Sequence, residues 1–252
     1  MDQRITRRGF LGLGAAGAVL ACTGMSGGEG DGGNGAGRLR ARPRKPTQKA
    51  QPGIHELGIN KGRDGMLSLP ESYSPDKPLP LILMLHGALG RGGLETFCAD
   101  AAKSGIAMLV PDSRGRTWDL MLGGIGPDIE FLDRALDYTF DRVNVDPRHL
   151  AVAGFSDGGS YALSIGLPNG DFFTHVVAFS PGYMMPPGRQ GKPPIFISHG
   201  THDDILPIEA ASRRIVPQLK GWGYDVHYHE WDGGHAFTPQ LAMEMFQWFV
   251  PG

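Results

Sequence analysis

Cysteine is nearly absent from this chain of 252 residues, which has only Cys22 and Cys98. Two thiols this far apart exclude a disulfide framework as the basis of the fold. An apolar run of spanning length is missing from the N-terminus as well. Residues 10–22 are apolar or small over 13 positions, whereas a membrane-crossing helix needs about 20. A permanent transmembrane helix is therefore excluded there. Net charge is low, −2, but unevenly spread: residues 1–50 hold 9 basic and 3 acidic side chains, and residues 51–252 hold 15 and 23. An acidic folded part argues against nucleic acid as a partner. Glycine and proline are instead in surplus, 39 and 20. Much of the glycine excess lies before residue 40, as in a flexible tail ahead of one large domain.

The N-terminal tail has its own signals. Arg7 and Arg8, then Phe10 and Leu11, then a weakly hydrophobic Gly/Ala run resemble a twin-arginine export signal of bacteria. Val19-Leu20-Ala21-Cys22 resembles a lipobox, which implies lipid attachment at Cys22; the alternative is an ordinary cut after a small residue nearby. Residues 23–38 are almost entirely Gly, Ser, Asn, Asp and Ala, the composition of a tether. Residues 38–49 add Arg38, Arg40, Arg42, Arg44, Lys45 and Lys49. They read as a solvated extended linker, with contact to anionic headgroups as the alternative. The expected organisation is an export signal over 1–22, a flexible linker over 23–51 and a folded domain over 52–252. The expected location is outside a bacterial cytoplasm, periplasmic or held at a membrane by its lipid.

From residue 52 onward, strand and helix patterns alternate. Short edge strands are expected at 55–58 and 64–69. Residues 81–86, Leu-Ile-Leu-Met-Leu-His, form a continuous apolar run typical of a strand covered on both faces. Helices are expected over 94–103, 127–143, 208–220, 240–249 and directly after Ser156, with strands at 106–110, 149–155, 175–179, 195–199 and 225–231. Within 127–143, Ile129, Leu132, Leu136 and Phe140 recur at helical spacing. Such alternation predicts an α/β fold: a mostly parallel sheet with helices on both faces.

Chemistry concentrates at the ends of three strands, where sites in such sheets lie. Residues 154–158 read Gly-Phe-Ser-Asp-Gly between a β-prone run and a helix-compatible run, the setting of a nucleophile elbow. Asp203 follows the strand ending at His199, and His235 follows the one ending at Trp231. The order Ser, Asp, His, with Leu-His-Gly at 85–87, His-Gly-Thr-His-Asp at 199–203 and Gly-Gly-His at 233–235, resembles the α/β-hydrolase superfamily. Within it the chain is similar to carboxylesterase/phospholipase-like and polyester depolymerase-like serine esterases.

The resemblance implies Ser156 as nucleophile, His235 as general base and then acid, and Asp203 as the carboxylate orienting the imidazole. Asp204 is the alternative acid. It further implies an oxyanion hole from the backbone N–H groups of Asp157 and Ala88, with Leu89 as the alternative to Ala88. No cofactor is needed, and the histidine spacing suggests no metal site. His86 and His199 precede glycines at strand ends and read as structural. His202, His227 and His229 read as solvent-exposed.

Only 47 positions separate Ser156 from Asp203, too few for a separate cap domain, so an open or shallow site is expected. Tyr183, Met184 and Met185 lie in a Pro/Gly-rich loop free to drape over it. Trp118, Met121 and Met184 are expected to line an acyl or aryl pocket; the alternative for the 114–127 residues is packing under their loop as core. The implied substrate is a small or lipid-like carboxylic ester. Lysophospholipid, feruloyl, polyester or peptide hydrolysis on the same triad stays open, as does a non-catalytic binding lipoprotein.

Overall fold

A computed structural model of the protein describes residues 37–88, 90–91, 94–119 and 126–250. The export signal, Cys22, the tether through residue 36, Leu89 and Met121 lie outside the described residues. Among the described residues, eight strands form one sheet. They are β1 (Gly53–Glu56), β2 (Gly65–Leu69), β3 (Leu79–Leu85), β4 (Ala107–Pro111), β5 (Val145–Phe155), β6 (His175–Phe179), β7 (Ile195–Gly200) and β8 (Val226–Trp231). They lie in the order β1-β2-β4-β3-β5-β6-β7-β8; the β1–β2 and β2–β4 ladders are antiparallel, and those from β4 through β3, β5, β6 and β7 to β8 are parallel.

The central strands alternate which face they feed. Leu81, Leu83 and Leu85 of β3, Leu150 and Val152 of β5, and Ile195 and Ile197 of β7 join one core. Ile82, Met84, Ala151, Ala153 and Phe196 join the other. This two-residue period within continuous apolar runs reflects a sheet buried on both sides. The first core holds the apolar stripes of α2 (Pro127–Phe140), α3 (Asp157–Gly166) and α4 (Ser212–Gly221). The second holds those of α1 (Leu94–Lys103) and α5 (Pro239–Phe249). No described segment forms a second domain over the sheet.

Strand β5 starts four residues earlier than expected. The β3–β5 register shifts between Leu79 and Leu81, and this irregularity accommodates Pro147, whose missing N–H would break a regular ladder. Helix α4 starts four residues later than expected, because residues after Pro207 close a turn in which Ala210 N–H donates to the Pro207 carbonyl.

The linker expected to extend to residue 51 is corrected from Gly37 onward: its second half is a strap docked on α2 and the end of α3. Asn169 clasps it, accepting from Leu39 N–H at 2.9 Å and donating to the Gly37 carbonyl at 2.7 Å. Asp133 accepts the amides of Arg40 and Ala41, and the Asp141 carbonyl accepts those of Thr47 and Gln48. Arg38 and Arg44 pair with Asp171 and Asp137 at the surface, and such pairs individually add little. The larger contribution is the Leu39 side chain, 2% exposed within the core. Periodicity could not reveal this docking, because an isolated strap has no repeat of its own. Leu39→Ala is expected to cost about 2–3 kcal/mol and lower the melting temperature by about 5 °C or more. An unchanged melting curve would show that the strap is not seated in solution.

Candidate active site

The β5–α3 junction places Ser156. Its backbone adopts φ 57°, a region that costs a non-glycine residue on the order of 1–3 kcal/mol. Neighbouring structure holds it there: Ser156 N–H donates to the Phe179 carbonyl of β6 at 2.9 Å, and the Ser156 carbonyl accepts from Ser160 N–H at 3.0 Å. The side chain is thereby presented at the carboxyl edge of the sheet, immediately before the N-terminus of α3.

The loops after β7 and β8 bring the acid and base to it. They run in contact: Thr201 N–H donates to the Trp231 carbonyl and His202 N–H to that of Gly233. Gly200 lies so close to the Gly233 and Gly234 carbonyls that any side chain there would overlap them. His235 Nε2 lies 2.8 Å from Ser156 Oγ, and His235 Nδ1 lies 2.7 Å from Asp203 Oδ2. Asp203 Oδ1 accepts the amides of Ile205 and Leu206 at 3.0 and 2.8 Å. Burial alone would raise the Asp203 pKa. The Leu206 and Ile205 amides and the His235 ring outweigh it and hold the carboxyl below the ordinary aspartate value. Asp204, the alternative acid, is exposed.

Gly87 and Ala88, just after β3, lie beside Ser156. A side chain on Gly87 would already stand 3.4 Å from Ser156 Cβ, and Ala88 shares a cavity wall with the serine. Asp157 is the first residue of α3, where backbone N–H groups have no intrahelical acceptor. Its carboxylate accepts the Thr117 hydroxyl at 2.6 Å.

His86 supports this loop from beneath. Its Nε2 accepts Ser113 N–H at 3.0 Å, so Nδ1 carries the proton and donates to the Gly87 carbonyl at 2.6 Å. Burial lowers its pKa and keeps it neutral. Trp118, expected in the pocket, is instead core. It is fully buried, donates Nε1–H to the His86 carbonyl at 2.9 Å and stacks on Tyr161. Met184 is half-buried against the same core. Its loop does not drape over the serine; the Gly182 and Met185 amides donate to Ser160 and Ser164 of α3.

The cavity that reaches Ser156 and His235 opens on the other face, between α1 and α5, with a volume of about 670 Å³. Leu94, Phe97, Phe155, Ile205, Phe237 and Ala242 supply its apolar wall. Phe237 lies 5.3 Å from Phe97 and 5.2 Å from Phe155, edge to face in both cases. Phe155 also packs on the His235 ring at 4.9 Å. Sequence reasoning missed all of these. The available signal was proximity to the triad, since Phe155, Ile205 and Phe237 each lie within two positions of a triad residue.

Among the described residues no cluster of three or more histidine, cysteine or acidic side chains has the arrangement of a metal site. None of their helices is long and apolar enough to cross a membrane. Of the remaining histidines, His202 is exposed beside Asp232, while His227 and His229 share Glu244.

No family model matches the chain. Feruloyl esterase C of Emericella nidulans is 27% identical over 222 residues, which cover 72% of this chain and 80% of that protein. The crystal structure of esterase PE8 has a TM-score of 0.61 at 22% identity, covering 73% of this chain and 96% of that one. The CE1 ferulic acid esterase of Anaeromyces mucronatus has a TM-score of 0.58 at 17% identity, covering 83% and 96%. The sheet order and these likenesses establish an α/β-hydrolase fold.

Proposed function

We propose that the protein is a serine esterase that cleaves carboxylic esters through an acyl-enzyme. The supporting observation is the hydrogen-bonded chain Ser156–His235–Asp203, at 2.8 and 2.7 Å, opening on an apolar cavity. A serine hydroxyl is a weak nucleophile until a base in contact takes its proton. In this reading His235 Nε2 accepts that proton as Ser156 Oγ bonds to the ester carbonyl carbon. The carbonyl oxygen becomes an oxyanion facing the amides of Ala88 and Asp157. The tetrahedral adduct collapses when the alkoxide leaves with the proton from His235. Water then gives a proton to His235 and attacks the acyl carbon. The second adduct releases the acid, and Ser156 Oγ regains its proton.

The phenylalanine-lined wall suits a hydrophobic acyl group, aromatic acyl groups included, and the relative named a feruloyl esterase agrees with that class. Export through the twin-arginine signal and anchoring at Cys22 belong to the proposal on the tail sequence alone. The test is an ester panel graded in acyl length with benzoyl and cinnamoyl members, run beside fluorophosphonate labelling mapped by mass spectrometry. We expect the label on Ser156 and a kcat/KM for hydrophobic acyl groups that falls about tenfold or more in Phe237→Ala. A folded protein that neither labels nor turns over any member would sink the reading.

A further inference from the structure

The carboxylate of Asp203 has a neighbour that the triad does not use. His199, at the end of β7, is fully buried. Its Nε2 lies 2.8 Å from the Leu206 carbonyl and 3.1 Å from Asp203 Oδ2. Its Nδ1 lies 2.7 Å from Ser212 Oγ at the start of α4. A carbonyl oxygen only accepts, so Nε2 carries the ring proton and Nδ1 accepts the Ser212 hydroxyl. Burial lowers the His199 pKa, with the nearby His235 acting in the same direction against the Leu206 carbonyl and Asp203, and the ring is held neutral.

Nε2 donates to the Leu206 carbonyl and also stands 3.1 Å from the same carboxylate oxygen that accepts from His235. With the Ile205 and Leu206 amides on Oδ1, four N–H donors surround the carboxylate, which has roughly four lone-pair sites. The carboxylate is thus enclosed from three loop positions and one strand end. Other charges near His199 lie on adjacent elements. Glu230 sits opposite it on β8, and Arg213 of α4 pairs with that glutamate at 2.6 Å.

We propose that His199 is a positioning residue of the triad, a neutral second histidine that fixes Asp203 Oδ2 and moderates its hold on His235. The proposal rests on the esterase reading above. Two consequences follow with definite signs. Without the donor, Oδ2 carries more negative charge toward His235, stabilising the imidazolium, so the acidic limb of the kcat/KM profile moves to higher pH. The carboxylate also loses one restraint, so kcat falls while KM, set by a cavity wall to which His199 does not contribute, changes little.

The test uses the full chain and steady-state hydrolysis of a p-nitrophenyl ester across about pH 5–9. His199→Leu is expected to lower kcat by about 10- to 100-fold, keep KM within about twofold and raise the acidic limb by about half a pH unit or more. His199→Gln places an amide N–H near the position of Nε2 and is expected to restore most of kcat and the wild-type limb. Ser212→Ala leaves the histidine in place but frees Nδ1 to take the proton. It should move both readouts the same way by less, and it tests the idea even if the leucine variant does not fold. An active wild type with folded His199→Leu and Ser212→Ala variants that keep its kcat and pH limb would overturn this proposal alone. A wild type that neither hydrolyses the ester nor takes the fluorophosphonate would overturn the triad reading and this one with it.

Discussion

Ser156→Ala is expected to lower kcat by about 10⁶-fold, because members of such a triad act as a unit and removing the nucleophile removes the covalent route. KM should stay near the wild-type value, since the substrate-facing wall is made by phenylalanines that the substitution leaves in place. Stability should change little. Alanine keeps the Cβ and the positive φ, and the Oγ it deletes is hydrogen-bonded to His235. The measurement is ester turnover by a variant whose melting curve matches the wild type, with fluorophosphonate labelling followed in parallel. Residual activity within about 10²-fold of wild type would place the nucleophile elsewhere, since the oxyanion donors and binding do not supply that much on their own.

Gly154→Ala is expected to have the largest effect on the fold itself. A Cβ at residue 154 would fall inside the Gly158 carbonyl, with the Gly159 nitrogen 2.7 Å away. Both are backbone atoms of the first turn of α3, so no flexible side chain can swing aside. Either α3 lifts away from β5 or the strand bends, and in both cases Ser156 leaves His235. We expect a loss of roughly 4 kcal/mol or more, beyond ordinary overpacking, which corresponds to a fall in melting temperature of about 10 °C. Activity should disappear with it. Scanning calorimetry decides the matter: a variant melting within about 2 °C of wild type would mean that the elbow is looser than this contact requires.

The sheet was largely legible from residue order. Apolar runs such as 81–85 and 195–197 mark strands covered on both faces, and the structure places them centrally. Element ends were less legible, because Pro147 is accommodated by a shift in the β3–β5 register, which depends on a partner strand rather than on local propensity. Trp118 shows the same limit at the site. Large aromatics after a strand end serve equally as pocket or as core, and here a hydrogen bond to the His86 carbonyl and a stack on Tyr161 make it core. His199 looked like a residue that merely closes a strand. Its contact with Asp203 depends on the turn through Leu206, which no spacing rule reports.

By itself the sequence determined the chemistry available: a serine between glycines at a strand–helix junction, then an aspartate and a histidine each following a strand. Those are local patterns, set by backbone sterics and by the two-residue period of a strand, and they survive without knowledge of any distant contact. Tertiary structure decided where the cavity lies, how the carboxylate is held and how residues 37–49 dock. The cavity opens toward α1 and α5 because Phe97, Phe155 and Phe237, far apart in the chain, meet on that face of the sheet. The strap at 37–49 is ordered by Asn169 and Asp133, more than ninety positions away. Each of these outcomes depends on which surfaces pack together, and packing is a property of the assembled fold rather than of any one segment.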